Sequence, residues 1–140
     1  VLTRKLVGLI LLCALVLPGC GGDGPVVPVS GTLSYKGKPV ANAYVHFVPQ
    51  KGRPSMGSTD ADGRFELSYD PQTKGAERGK HRVFVQFDGL AAQSKPGAIP
   101  GKAVGPPADQ KAFFDKYSGS NSKVEVTVEK AESGLKLDWD

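Results

Sequence analysis

Short runs of alternating apolar and polar residues, each broken by glycine or proline, constrain the fold of this chain more than any other feature. Val29, Gly31, Leu33 and Tyr35 alternate with Ser30, Thr32 and Ser34. Ala43, Val45 and Phe47 alternate with Tyr44, His46 and Val48, and Pro49 closes the run. Gly57 to Thr59 and Arg64 to Tyr69 follow, the latter placing Phe65, Leu67 and Tyr69 on one face. Val83, Val85 and Phe87 repeat the pattern, then Val124, Val126 and Val128 against Glu125, Thr127 and Glu129, and finally Leu135, Leu137 and Trp139 against Lys136 and Asp138. A period of two is that of a strand with one buried face, and no stretch shows a helical period. With 18 glycines and 11 prolines punctuating the chain, the pattern predicts an all-β fold: a single antiparallel β-sandwich of about seven strands, transthyretin- or immunoglobulin-like, over residues 26–140.

Asp60-Ala61-Asp62-Gly63 separates two of the runs. Aspartate and glycine suit the backbone of a tight turn, so Asp60, Asp62 and Gly63 are expected to form a structural hairpin. The competing reading is the start of a calcium loop, in which hard carboxylate oxygens gather round the ion. Such a loop continues to further acidic ligands, whereas Arg64 and Phe65 follow here at once. No Cys/His spacing suits zinc, and the expectation is that the chain holds neither metal nor cofactor.

The N-terminal region reads differently. An apolar run from Leu6 to Leu17 stands behind Arg4 and Lys5. At about a dozen residues it falls short of the roughly 20 needed to span a bilayer. A basic start, an apolar middle and small residues at the end are the parts of a signal peptide, expected over residues 1–19 and removed on export. Leu17-Pro18-Gly19-Cys20 resembles the lipobox of bacterial lipoprotein precursors, with Pro18 standing where Ala, Ser or Thr is usual. The Cys20 thiolate would be the nucleophile that takes a diacylglyceryl group as a thioether. Each buried methylene contributes about 0.8 kcal/mol, so two or three acyl chains hold a small domain to a membrane. Cys13 lies in the segment that is removed, which leaves Cys20 an anchor and not half of a disulfide. Residues 20–25 would be the lipid anchor and a flexible linker. Of the formal charge of +4, Arg4 and Lys5 supply two. The rest is scattered, without the basic stripe that nucleic acid requires.

A family resemblance rests on three stretches: "VSGTLSYKGKPVANAYVHFVP", "STDADGRFEL" and "ERGKHRVFVQF". They resemble the carboxypeptidase regulatory-like domain, a transthyretin-type β-sandwich, especially its version in small bacterial lipoproteins. The matching positions are Gly31, Gly37 to Val40, Ala43, Val45, Thr59 to Phe65 and Gly79. His81 stands where that family usually has tyrosine. The resemblance covers residues 26–88 and is pattern alone from 110 onward. It implies a fold and a non-catalytic accessory role.

Catalytic arrangements are thin. Tyr117-Ser118-Gly119-Ser120 echoes the C-terminal Tyr-Arg-Gly-Ser of hydroxyisourate hydrolase, itself transthyretin-like, but the arginine is missing and a polar turn explains the residues as well. A nucleophile needs a base and an orienting acid. The only histidines, His46 and His81, are expected at the surface or rim. The long insertion at 89–117 carries Pro96, Pro100, Pro106 and Pro107, then Phe113, Phe114 and Tyr117. Connections of this length are usually functional or disordered. The three aromatics are therefore candidate partner-binding residues; alternatively, "QKAFFDKY" is a short helical turn or strand packed on the sandwich edge. The resulting expectation is a lipid-anchored cell-envelope protein, on the outer membrane if the cell has two, not an enzyme. It would display its sandwich for interaction or structural support, touching the membrane through its lipid and an unidentified envelope protein or glycan. The alternative is an accessory carbohydrate- or peptide-binding lipoprotein of a transport or degradation system.

Overall fold

The computed structural model describes residues 24–102 and 104–140. In chain order these form β1 (Val26–Val27), β2 (Val29–Tyr35), β3 (Lys38–Pro39), β4 (Ala43–Pro49) and β5 (Ser55–Ser58), then β6 (Arg64–Glu66), β7 (Ala76–Glu77) and β8 (Gly79–Phe87). Two short helices, α1 (Gly89–Gln93) and α2 (Lys111–Tyr117), and a 3-10 turn at Gly119–Asn121 precede β9 (Val124–Val128) and β10 (Glu132–Trp139). Each alternating run noted in the sequence carries a strand. The short β1, β3 and β7 have too few residues to show a period.

The fold is all-β with mainly antiparallel sheets. In one, β4 pairs with β5 on one side and β8 on the other, and β9 completes the edge beyond β8. In the second, β2 is central, with β6 and β3 antiparallel along one edge and β10 along the other. The β10–β2 pairing is parallel, with Leu135, Leu137 and Trp139 opposite Gly31, Leu33 and Tyr35, which corrects the wholly antiparallel expectation. The physical reason is the path of the chain: β9 belongs to the first sheet, so the link to β10 changes sheets and is not a hairpin. A small pair, β1 with β7, stands apart.

Both sheets turn their apolar sides onto one core. Val29 and Leu33 of β2, Val45 and Phe47 of β4, Val83 and Val85 of β8, and Leu137 of β10 are all buried within it. Burying a side chain of this size contributes about 1.5–3 kcal/mol. Gly31 sits among them for a different reason. A Cβ there would lie 2.0 Å from the Leu135 carbonyl oxygen, so the glycine lets β10 come close where its register shifts between Glu132 and Leu135.

The helix α2 closes one end of this core. Phe113 is fully buried, its ring 5.1 Å from Tyr35 and 5.9 Å from Trp139 on the second sheet. Phe114 meets Phe87 of β8 edge-on at 5.4 Å. Tyr117 packs on Trp139 at 4.6 Å. The other end is where the chain enters: the Gly24 carbonyl accepts from Arg78 Nε at 3.1 Å and the Pro25 carbonyl from the Arg78 N–H at 2.8 Å. Between these ends runs β8, whose nine residues span about 30 Å at 3.3 Å each.

Candidate functional site

The chain on either side of the acidic turn approaches itself as in the expected hairpin, at Asp60–Arg64 and at Met56–Ser68. Between those points the two flanking strands stay close, with Gly57 against the Glu66 carbonyl, but form no ladder: β5 pairs with β4 in one sheet and β6 with β2 in the other. The turn therefore joins sheets. Its closure is local. The Asp60 carboxylate accepts from the N–H groups of Asp62 and Arg64, both at 2.9 Å, while its second oxygen takes Arg64 Nε at 3.0 Å. Arg64 also reaches Asp62 at 3.0 Å. The Arg64 N–H, more than its guanidinium, holds the Asp60 carboxyl below the usual carboxylate range, against the opposing effect of partial desolvation. Gly63 has φ of +73°, and a Cβ there would stand 2.4 Å from the Leu33 carbonyl oxygen. Both carboxylates thus serve the turn and one arginine.

Beside the turn, on the outer face of the second sheet, lies a groove of about 440 Å³. Ser30 and Thr32 of β2 form its floor, Arg64 and Glu66 of β6 one wall, and Ser133 and Lys136 of β10 the other. It opens where β10 shifts register against β2. The groove can hydrogen-bond through hydroxyls, and apart from Lys136 its charges are engaged: Arg64 holds Asp60 and Asp62, and Glu66 meets Lys74 at 3.3 Å. No histidine or cysteine lines it. Among the described residues, no three His, Cys, Asp or Glu side chains converge to hold a metal ion.

The two histidines cannot act together. His46 lies on the outer face of β4, half-buried and stacked on Phe84 at 4.5 Å with its Nε2 unpartnered. Burial pushes its pKa down. His81, expected at the rim, is fully buried on the opposite face, which corrects that reading. Its ring packs 5.7 Å from Phe47, its Nε2 lies 2.7 Å from the Glu77 carbonyl oxygen, and its Nδ1 has no partner. The parity was in the sequence: 81, 83 and 85 are one set of alternate residues.

The candidate partner-binding aromatics are brought together, but inward. Phe113 and Phe114 are buried in the core and Tyr117 half-buried against it, which withdraws the two phenylalanines from any docking surface. The cause is the open end of the sheets, which the rings of α2 fill. The insertion instead exposes Leu90 and Ile99, 76% and 63% accessible, on a stretch with Lys95 and Lys102 and no acid before Asp109. Their signal in the sequence is faint: isolated aliphatics in a tract rich in Pro, Gly and Ala. The residues 1–19, Cys20 and the linker as far as Asp23 lie outside the described residues. Gly24 and Pro25, read as the end of a flexible linker, are hydrogen-bonded to Arg78. Compared with family models, curated proteins and solved structures, the chain matches none of them.

Proposed function

We propose that this chain is a lipid-anchored cell-envelope protein that displays a non-catalytic, carboxypeptidase regulatory-like β-sandwich of the transthyretin type for interaction or structural support. The observation that carries the reading is the join between the Leu17–Cys20 motif and the fold. Only Gly21, Gly22 and Asp23 separate Cys20 from Gly24, which is already bonded to Arg78. Four residue steps reach at most about 14 Å. A lipid on Cys20 would hold the Arg78 end of the domain close to the bilayer and turn the opposite end, with Leu90 and Ile99, outward.

Other features agree with a display role. The histidines lie on opposite faces, the acidic turn is satisfied by its own backbone and arginine, and the insertion's phenylalanines serve the core. In a cell with two membranes, Gly21 after the cysteine, in place of an aspartate, favours the outer one. The test is Cys20→Ala followed by membrane fractionation: the variant should leave the membrane fraction while keeping its β-rich circular dichroism. A variant that stays membrane-bound would sink the anchor.

A second reading rests on the groove beside β10. Its hydroxyls and charged walls suit a carbohydrate or an extended peptide, which would make the protein an accessory binding lipoprotein. Titration calorimetry against oligosaccharide and peptide panels, with Thr32→Val as the control, separates the readings. Saturable binding abolished by the substitution supports the second, and no binding across the panels supports the first.

A further inference from the structure

The strand β10 ends the second sheet: β2 pairs with one of its edges, and among the described residues no strand pairs with the other, which α2 meets only beyond the strand's end, where Lys116 Nζ and Tyr117 Oη donate to the Asp140 carbonyl at 2.8 Å. The Trp139 carbonyl accepts from the Lys36 N–H at 3.0 Å, in register with Leu137 opposite Leu33 and Leu135 opposite Gly31. In a parallel ladder alternate residues direct both main-chain groups to the neighbour. Leu135, Leu137 and Trp139 therefore spend theirs on β2, and Lys136 and Asp138 direct theirs outward. Both of those side chains are exposed on the outer face, where one oxygen of the Asp138 carboxylate accepts from Ser34 Oγ at 2.8 Å and the other is left for a cation.

We propose that this edge pairs antiparallel with the same edge of a second copy of the chain, about a two-fold axis through Leu137. Charge selects the register. A symmetric ladder must bring outward-directed residues opposite one another. Lys136 against itself, or Asp138 against itself, sets like charges face to face, which is destabilising. A slip that sets Lys136 opposite Gly134 forfeits the pairing of charges. The register centred on Leu137 sets Lys136 opposite Asp138 of the second copy and Asp138 opposite its Lys136. Each such pair exchanges both main-chain hydrogen bonds and adds an ion pair on the outer face. On the inner face the same register brings half-buried Leu135 opposite half-buried Trp139 of the second copy, covering both.

The two edges of the first sheet fit less well. β5 is bridged to Ser68 through Met56. β9 carries Glu125, already paired with Lys80 at 3.1 Å, and has no lysine of its own to set opposite it. Lysine on an exposed edge discourages pairing with other strands, and the register centred on Leu137 offsets this by setting an aspartate opposite it. The inference rests on this edge alone and stands or falls apart from the lipid anchor.

Sedimentation velocity on the full chain in mild detergent tests it. The wild type should dimerise reversibly. Lys136→Asp and Asp138→Lys each set like charges opposite and should each weaken dimerisation by about tenfold or more, with circular dichroism unchanged. The double variant restores opposite charges and should regain the dimer. A wild type that stays monomeric at every concentration, a Lys136→Asp variant that dimerises as tightly as wild type, or a double variant that fails to recover would each overturn the proposal.

Discussion

Gly63 holds a position that no other residue can take without strain. Its φ of +73° disfavours L side chains, and a Cβ would collide with the Leu33 carbonyl, which is main chain and cannot swing aside. Gly63→Val is therefore expected to destabilise the fold by more than about 1 kcal/mol, read as a lower urea midpoint at unchanged m-value. Its neighbour Asp60 sets an acid limit. Its carboxyl is depressed in the folded state, so the stability it contributes is complete above the unfolded carboxylate pKa and is lost as pH falls through the folded one. Asp70, depressed chiefly by the Gln72 N–H, acts in the same window. His46 acts at higher pH: its folded pKa is lowered by burial, so stability begins to fall as the unfolded imidazole gains its proton, near about 6.5. Urea midpoints of Asp60→Asn against pH should show a shallower decline than wild type in the acid range and the same slope near neutrality. Identical acid slopes would show that the Asp60 bonds do not matter to stability. His81 carries two conflicting signals in the sequence. Its parity with Val83 and Val85 places it inside, whereas its polarity and its position at the start of a run point to the rim, and parity prevails.

At the scale of elements, the six-ring contact of Tyr35, Phe87, Phe113, Phe114, Tyr117 and Trp139 makes α2 part of the core. Phe113→Ala should cost about 3–5 kcal/mol, as large-to-small changes at buried aromatics do, and should change the fluorescence of Trp139. Leu90→Ser and Ile99→Ser, on exposed positions of the insertion, should shift stability by no more than about 0.5 kcal/mol. Thermal and chemical denaturation of the three variants tests both statements, and a Phe113→Ala variant as stable as wild type would contradict the role given to α2. The strands were legible because alternation is a local signal: each run carries its own buried face. Pairing partners were not. Asp60-Ala61-Asp62-Gly63 declares a turn, but nothing in those residues says that the strands on either side go to different sheets. The parallel approach of β10 to β2 depends on a sheet change after Val128 that leaves no mark on the local pattern. The groove follows from that same approach, so it too was invisible in the sequence. "QKAFFDKY" carried both a packing and a docking interpretation because aromatics suit either, and only the open end of the two sheets decides between them.

The whole molecule, on this account, has two unlike ends. One receives the chain at Gly24 and is fastened through Arg78; the other is capped by α2 and carries the insertion with Leu90 and Ile99. If the Arg78 end is held to a membrane, partners meet the far end and the outer sheet faces, and the groove beside β10 stands on the flank. That orientation depends on a single covalent event at Cys20. Intact-mass measurement of the full-length protein, expressed in a lipoprotein-processing bacterium and purified from its membranes, tests it most directly. The expected product is a chain that begins at Cys20 and carries the added mass of a diacylglyceryl group, with or without a further acyl chain on the new N-terminus. A chain that keeps residues 1–19, or one that begins at or near Cys20 with an unmodified thiol, would contradict it.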